Sequence, residues 1–552
     1  MATWTIMVYF AGDSSLGQEM IWALRAIRET ERPKGIKVAA LFDGGGPPTT
    51  FSDSDLAPAP PRQAEATVSG SSTLGKVYPD TAPQQVEASA SASRILARVD
   101  RAFEAADAQG RNNGVDPIGK TLEKFVNESI EKNDTTDHYM LVLSGHGSGV
   151  VGEFLTTDKR FLGLSIPTLK KVLKSAARKL YEKTGQDQKI DILGLDSCQM
   201  SMAEVAYEVR NQVNFMVGAE GFEVARGWPY DLIIRLLKDK ENAEHPEEFA
   251  PNIVKEHIQY YLDYTAADVS TDASALQLSE WKLNNVIQKL RALTEAFGVS
   301  PETSEEREER KEKSREDLVK YLESRIDKSE LRHKPLLDAI ILAHRDAQGY
   351  KNEQYADLWD FCDLLSERLK SLKELTGLDF NTISTACENL RDAVDPKPRL
   401  GETVEELHKR RKQALVLRSG YCGAKFQHSH GLSIFFPWAK LTDAEGTADL
   451  DHYQLLDFAQ RTAWDEFLRL YHHATLRPVR ELNTTEARHV SLLNRRSGLF
   501  TGTPGTKDPE VDPLDKDPEV DPLDKGEEGK FGTIKIASMK NPPIEWRECK
   551  LK

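Results

Sequence analysis

Cysteine is scarce and scattered in this chain: five in 552 residues, at Cys198, Cys362, Cys387, Cys422 and Cys549. An odd number without paired spacing excludes a disulfide scaffold and a cysteine-based metal module, and it fits a reducing compartment. No apolar run approaches the roughly 20 residues that a membrane-spanning helix needs. Basic charge is in deficit as well. A net charge of −15 and a pI near 5.5 argue against binding nucleic acid by bulk electrostatics, while basic or neutral protein partners are easier to attract. The start lacks the basic residues that open a secretory signal, and Trp4 to Phe10 reads directly as a first strand. The expectation is a cytoplasmic protein with no membrane and no nucleic acid among its partners.

Against these absences stand two apolar runs that each end in a tight turn. HYMLVLSGHGSG, His138 to Gly149, delivers His146; KIDILGLDSCQM, Lys189 to Met200, delivers Cys198. Both have the β-branched and leucine-rich make-up of buried parallel strands. In open α/β sheets, ligands and chemistry gather at the carboxyl ends of such strands. A His and a Cys there make a candidate base and nucleophile. After Cys198, the residues Met202, Val205, Ala206 and Val209 recur at helical spacing. That spacing predicts Cys198 at or just before a helix N-terminus, where the backbone dipole favours a thiolate. A buried structural cysteine and a turn histidine are the bland alternative.

Seven segments in order resemble the clostripain family of cysteine peptidases, relatives of the caspases, legumain and the gingipains. They are WTIMVYFAGDSSL, NNGVDPIGKTLEKFV, LVLSGHGSG, LGLDSCQMSMAEVAYEVR, GAEGFEVARGWPYDLI, YADLWDFCDLL and HGLSIFFP. The resemblance implies that Cys198 is the nucleophile and His146 the general acid and base of a dyad, with the amides of Gly147 and Cys198 as the oxyanion hole. It also implies that Asp196 supplies the charge for Arg or Lys before the scissile bond. By spacing alone, Asp196 reads equally well as a carboxylate capping the next helix. The family commonly has a second acid just before its GWPY-like segment. Here Arg226 stands there instead, with Glu220 and Glu223 upstream. An arginine in that loop would neutralise Asp196 and narrow the pocket, which leaves an acidic preference open.

Zymogens of the family are cut after the catalytic histidine, and Lys159 and Arg160 in FLTTDKRFLGLS occupy the matching place. This points to activation by self-cleavage or by another protease. No cofactor is required by the sequence. Calcium dependence is frequent among family members, yet no acidic cluster has the spacing of a calcium loop, and no metal ligands are assigned.

Strand, helix and strand alternate from Trp4 through Leu16 to Thr30, Ile36 to Asp43, and on past Cys198. The expectation is a doubly wound, mostly parallel, caspase-like α/β sheet flanked by helices. The peptidase unit is expected over residues 1–440. It carries an Ala-, Pro- and Ser-rich insertion at about 50–110, with one helix near Ala92 to Ala106, and a helical elaboration at about 240–415. HGLSIFFP then reads as a strand rejoining the central sheet. A helical part follows at 441–498, with helices near Asp451 to His473. The run SEEREERKEKSRED, Ser304 to Asp317, mixes both signs of charge and reads as a solvated helix face or hinge. In the final part, 499–552, KDPEVDPLD occurs twice, at Lys507 to Asp515 and Lys516 to Asp524, which predicts an extended, solvated linker.

Three readings of function follow: a cysteine endopeptidase acting on proteins or peptides, a catalytically silent caspase-like module that binds partners, and a nucleotide-binding protein whose GHGSG cradles phosphate. The last lacks the lysine of a P-loop and the glycine pattern of a dinucleotide site.

Overall fold

A computed structural model of the chain describes residues 2–44, 48–56, 118–133, 136–150, 154–155, 163–350, 354–438, 453–454 and 456–481. Its frame is an eight-stranded sheet. The strands in chain order are β1 (Trp4–Phe10), β2 (Ile36–Phe42), β3 (Thr49–Phe51), β4 (His138–Ser144), β5 (Ile190–Asp196), β6 (Val213–Gly218) and β7 (Thr271–Gln277). There follow β8 (Gly349–Tyr350), β9 (Tyr355–Asp357), β10 (Val416–Cys422) and β11 (Ser433–Phe435). The large sheet runs β10-β7-β6-β5-β4-β1-β2-β3. Its centre, from β2 to β6, is parallel, while β3, β7 and β10 pair antiparallel at the two edges.

All seven residues of WTIMVYF are buried, as a parallel strand covered on both faces must be. On one face Trp4, Ile6, Val8 and Phe10 share a single apolar cluster with the helices Gly17–Glu29, Tyr230–Leu236 and Pro246–Leu262. Register then sets the site. Phe10 is level with Ser144 in the β1–β4 pair, and Ser144 with Asp196 in the β4–β5 pair. The residues just beyond all three strands therefore emerge at one edge of the sheet. The chain leaves β1 toward β2 on one side and returns to β4 on the other, so this edge is the switch point of a doubly wound sheet.

Three sequence expectations are corrected. HGLSIFFP does not rejoin the central sheet: Ser433–Phe435 pairs with Tyr355–Asp357 in a separate three-stranded sheet, β11-β9-β8. Its other side is tied to the chain after Cys198, through Ser433 N–H to the Ser201 carbonyl at 3.0 Å. The antiparallel strands that complete this end of the central sheet are instead β7 and, at its edge, β10, and β7 lies inside the stretch read as helical. The start of the insertion is ordered, since Thr49–Phe51 pairs with β2. The charged run Ser304 to Asp317 lies on two helices, Ser304–Glu312 and Arg315–Lys328, and is mostly exposed, as a solvated helix face is, with one exception. Arg310 is buried there, with Nε 2.9 Å from the Glu302 carboxylate.

The expected helix at Ala92 to Ala106, the pair Lys159 and Arg160, and the C-terminal repeats lie outside the described residues.

Candidate active site

β4 ends at Ser144 and the chain turns through Gly145, His146 and Gly147. The turn is fixed from both sides: the Gly145 N–H donates to the Asp196 carbonyl at 3.2 Å, and the His146 carbonyl accepts from the Leu155 N–H at 2.8 Å. β5 ends at Asp196, and Cys198 follows in a turn whose next residue, Gln199, has φ +59°. The N–H groups of Gln199, Met200 and Ser201 are spent on the carbonyls of Gly221 and Ala219 at 2.8–2.9 Å. No helix forms across this turn, and the helix begins only at Ala203 with Met202 as its N-cap. Cys198 is not at a helix N-terminus, so the dipole argument for a thiolate fails. Met202, Val205, Ala206 and Val209 are all buried, as their spacing predicts.

The two turns meet at Gly147. A Cβ added there would stand 2.0 Å from the Cys198 carbonyl oxygen and 2.9 Å from its carbonyl carbon and amide nitrogen. The backbones of the histidine and cysteine loops are thus in direct contact, which no residue larger than glycine permits. His146 and Cys198 line one cleft of about 160 Å³ with Ser144, Asp196, Glu223 and Gly227. A larger hollow of about 400 Å³, lined by Arg210, Arg291 and Arg461 among others, lies elsewhere and holds neither residue.

Cys198 is half-buried, whereas Cys362, Cys387 and Cys422 are buried. Its Sγ accepts the Glu223 N–H at 3.3 Å. Burial, reinforced by the charges of Glu223 and Asp196, pushes the thiol up to about 11. Burial thus favours the protonated thiol over the thiolate at Cys198.

Asp196 forms a wall of the same cleft and caps no helix. Its Oδ2 accepts the hydroxyls of Ser144 at 2.8 Å and Tyr230 at 2.7 Å, and the carboxylate also takes the Trp228 N–H. Gly227, at φ +69°, brings its backbone so close that a Cβ would lie 2.8 Å from Oδ2. Burial raises the carboxyl to about 6 despite these donors.

Glu223 reaches the cleft too. Its carboxyl accepts from Trp228 Nε1 at 3.3 Å and stands 3.4 Å from His257 Nε2. That distance would suit an ion pair. Burial instead raises the acid well above the usual carboxylate range and holds His257 down at about 3, which disfavours charge on both partners.

Glu220 is corrected as a cleft residue. It is fully buried behind the cleft, where its carboxylate accepts the Gly431 N–H at 2.5 Å. Arg226 lines the same cleft from its exposed side, with its guanidinium 6.0 Å over the Tyr260 ring, and it makes no ion pair with Asp196. The expected neutralisation does not occur.

No group of His, Cys, Asp or Glu among the described residues is arranged to hold a metal ion. The acid cluster around Glu220 is spent on backbone donors: Asp272 takes the N–H groups of Glu220 and Gly221 at 2.9 Å. These residues do not fit a calcium site. No helix of the described residues is long and apolar enough to cross a membrane.

Sequence reasoning missed Ser144 and Tyr230, the partners of Asp196, and His257. Ser144 and Tyr230 stood within the quoted LVLSGHGSG and GWPY segments, but nothing local marked them as facing Asp196.

The model of the clostripain family matches residues 86–471 of the chain. No curated protein matches it significantly. Among solved structures, a secreted C11 cysteine protease from Bacteroides thetaiotaomicron in complex with an irreversible peptide inhibitor is 12% identical at a TM-score of 0.46, with 84% of this chain and 100% of that one covered. An inactive zymogen C11 protease from Parabacteroides distasonis is 16% identical at a TM-score of 0.43, with 84% and 99% covered.

Proposed function

The chain belongs to the clostripain family and is a cysteine peptidase, and from that premise we propose an endopeptidase that works through a Cys198–His146 dyad and cleaves after Arg or Lys. The observation that carries the dyad is the seat of Gly147 on the Cys198 backbone, which joins the two turns in one cleft. In this reading His146 takes the thiol proton as the sulfur attacks the substrate carbonyl carbon. The carbonyl oxygen becomes an oxyanion held by the amides of Gly147 and Cys198. The proton then passes from His146 to the departing amine, and water hydrolyses the acyl-enzyme by the same route in reverse. Because burial lifts the thiol to about 11, proton transfer accompanies attack, with no thiolate stored beforehand.

Basic specificity is supported by two acids on the cleft, Asp196 and Glu223, neither of which is ion-paired with Arg226 although that residue lines the same cleft. A bound guanidinium or ammonium favours their ionised forms. Activation by cleavage at Lys159 or Arg160 is supported by the dibasic sequence alone. The unpaired thiols support a cytoplasmic setting.

A fluorogenic peptide with Arg at the cleaved position tests the reading. Cys198→Ala and His146→Ala should each abolish hydrolysis in a folded protein, and near-normal turnover by either would end the dyad assignment. Profiling that returned Asp or Glu before the cleaved bond would overturn the specificity.

A further inference from the structure

The loop after β1 reaches the same cleft and has so far been given no chemical task. It reads GDSSL, and Ser15 Oγ lies 3.2 Å from His146 Nε2. The loop is tightly held. The Asp13 N–H donates to the Asp43 carbonyl at 2.9 Å, Ser14 Oγ donates to the Ala11 carbonyl at 3.1 Å, and a Cβ on Gly12 would stand 2.2 Å from the Phe42 ring. Ser15 itself is exposed, so its hydroxyl proton has solvent to turn toward.

We propose that Ser15 is a positioning residue for His146, accepting the Nε2–H and so fixing the tautomer whose bare Nδ1 takes the proton of the Cys198 thiol. The proposal rests on the dyad reading. A neutral imidazole has one nitrogen that donates and one that accepts. With Nε2 held against a hydroxyl, Nδ1 is the nitrogen left to act as base. A serine hydroxyl can accept from the ring before and after protonation, because Nε2 carries hydrogen in both states. As the S–H bond breaks and the Nδ1–H bond forms, the ring becomes a cation and its bond to Ser15 strengthens. The Nδ1 proton later leaves with the amine, while the Nε2 proton stays in place throughout. Ser15 thus acts on the orientation and charge of His146 without touching the substrate.

The test is Ser15→Ala in the full chain, with Ser15→Thr, Ser14→Ala and His146→Ala beside it. Ser15→Ala should lower kcat about tenfold, the size of one hydrogen bond to a charged group, with KM unchanged. The acidic limb of its kcat/KM profile should move to lower pH, because the imidazolium loses an acceptor. Ser15→Thr keeps a hydroxyl and should restore both. Ser14→Ala perturbs the same loop and should leave the limb in place. Nitrogen-15 spectra of the resting enzyme should show Nε2 protonated in wild type and a mixture of tautomers in Ser15→Ala. Turnover by His146→Ala would defeat the dyad itself. An inactive His146→Ala beside a Ser15→Ala with unchanged kcat and pH limb would defeat only the role of Ser15. Equal losses in Ser15→Ala and Ser14→Ala, with unmoved limbs and lowered melting temperatures, would reduce Ser15 to loop packing and overturn the proposal.

Discussion

Gly147→Ala is the sharpest perturbation of the dyad geometry. Gly147 is not among the glycines at positive φ, so the need for glycine comes from contact alone. The added methyl would lie 2.0 Å from the Cys198 carbonyl oxygen, against a normal approach of about 3.5 Å. About 1.5 Å must open between two backbones, and neither flanking strand can slide, since β4 and β5 are paired from Met140 to Ser144 and buried. The His146 turn has to lift away from Cys198. A misplacement of about 1 Å costs roughly 10²-fold, and losing one oxyanion donor costs about 10²- to 10³-fold. We expect kcat/KM to fall by about 10²- to 10³-fold, mostly through kcat, with the sheet intact by circular dichroism. Gly185→Ala is the control. That glycine is left-handed at φ +69° with nothing within 4 Å of an added Cβ, so the variant should lose about 1 kcal/mol of stability and keep its turnover. A folded Gly147→Ala enzyme within threefold of wild-type kcat/KM would refute the reasoning.

Asp196→Asn should lower kcat/KM for Arg substrates by about 10- to 100-fold, the range of a charge-assisted bond. Since the Asp196 carboxyl sits at about 6, cleavage of basic substrates by wild type should rise more steeply as pH climbs through 6 than cleavage by Asp196→Asn, which keeps only the acidic limb tested with Ser15. The raised value also means that this group favours the folded state most in acid. Its contribution fades as pH rises from the ordinary carboxylate range to about 6, a slope that melting curves of the two proteins will show or exclude. Alkylation of Cys198 in the substrate-free enzyme should keep accelerating well above neutrality because burial lifts its thiol to about 11; a plateau near pH 7, read by peptide mass mapping, would contradict the burial argument. Arg310→Met should destabilise by about 3 kcal/mol in urea, because it leaves the buried Glu302 with Arg325 and Tyr321 as its remaining charged and hydroxyl partners; a loss under 1 kcal/mol would show the pair to be dispensable.

The sequence by itself determined the sheet core and the strand ends that form the candidate site. Trp4–Phe10, His138–Ser144 and Ile190–Asp196 are apolar runs stopped by small turns, and periodicity plus a glycine or polar stop is local information. His146, Gly147 and Cys198 were legible for the same reason, as residues just beyond strand ends. Tertiary structure decided what these residues meet. The Asp196 carboxylate is held by Ser144, 52 positions away, and by Tyr230, 34 away, and only strand register and helix packing bring them together. Glu220 and Glu223 look alike in the chain, yet three residues along one turning segment separate a buried strut on Gly431 from a wall of the cleft. Spacing placed the Met202 and Val205 face correctly but not the helix start, because Gly221 and Ala219 capture the N–H groups that would have wound the chain up to Cys198. HGLSIFFP had the pattern of a strand without a partner written into it, and its pairing with Tyr355–Asp357 was settled by edges that form only when the whole chain packs.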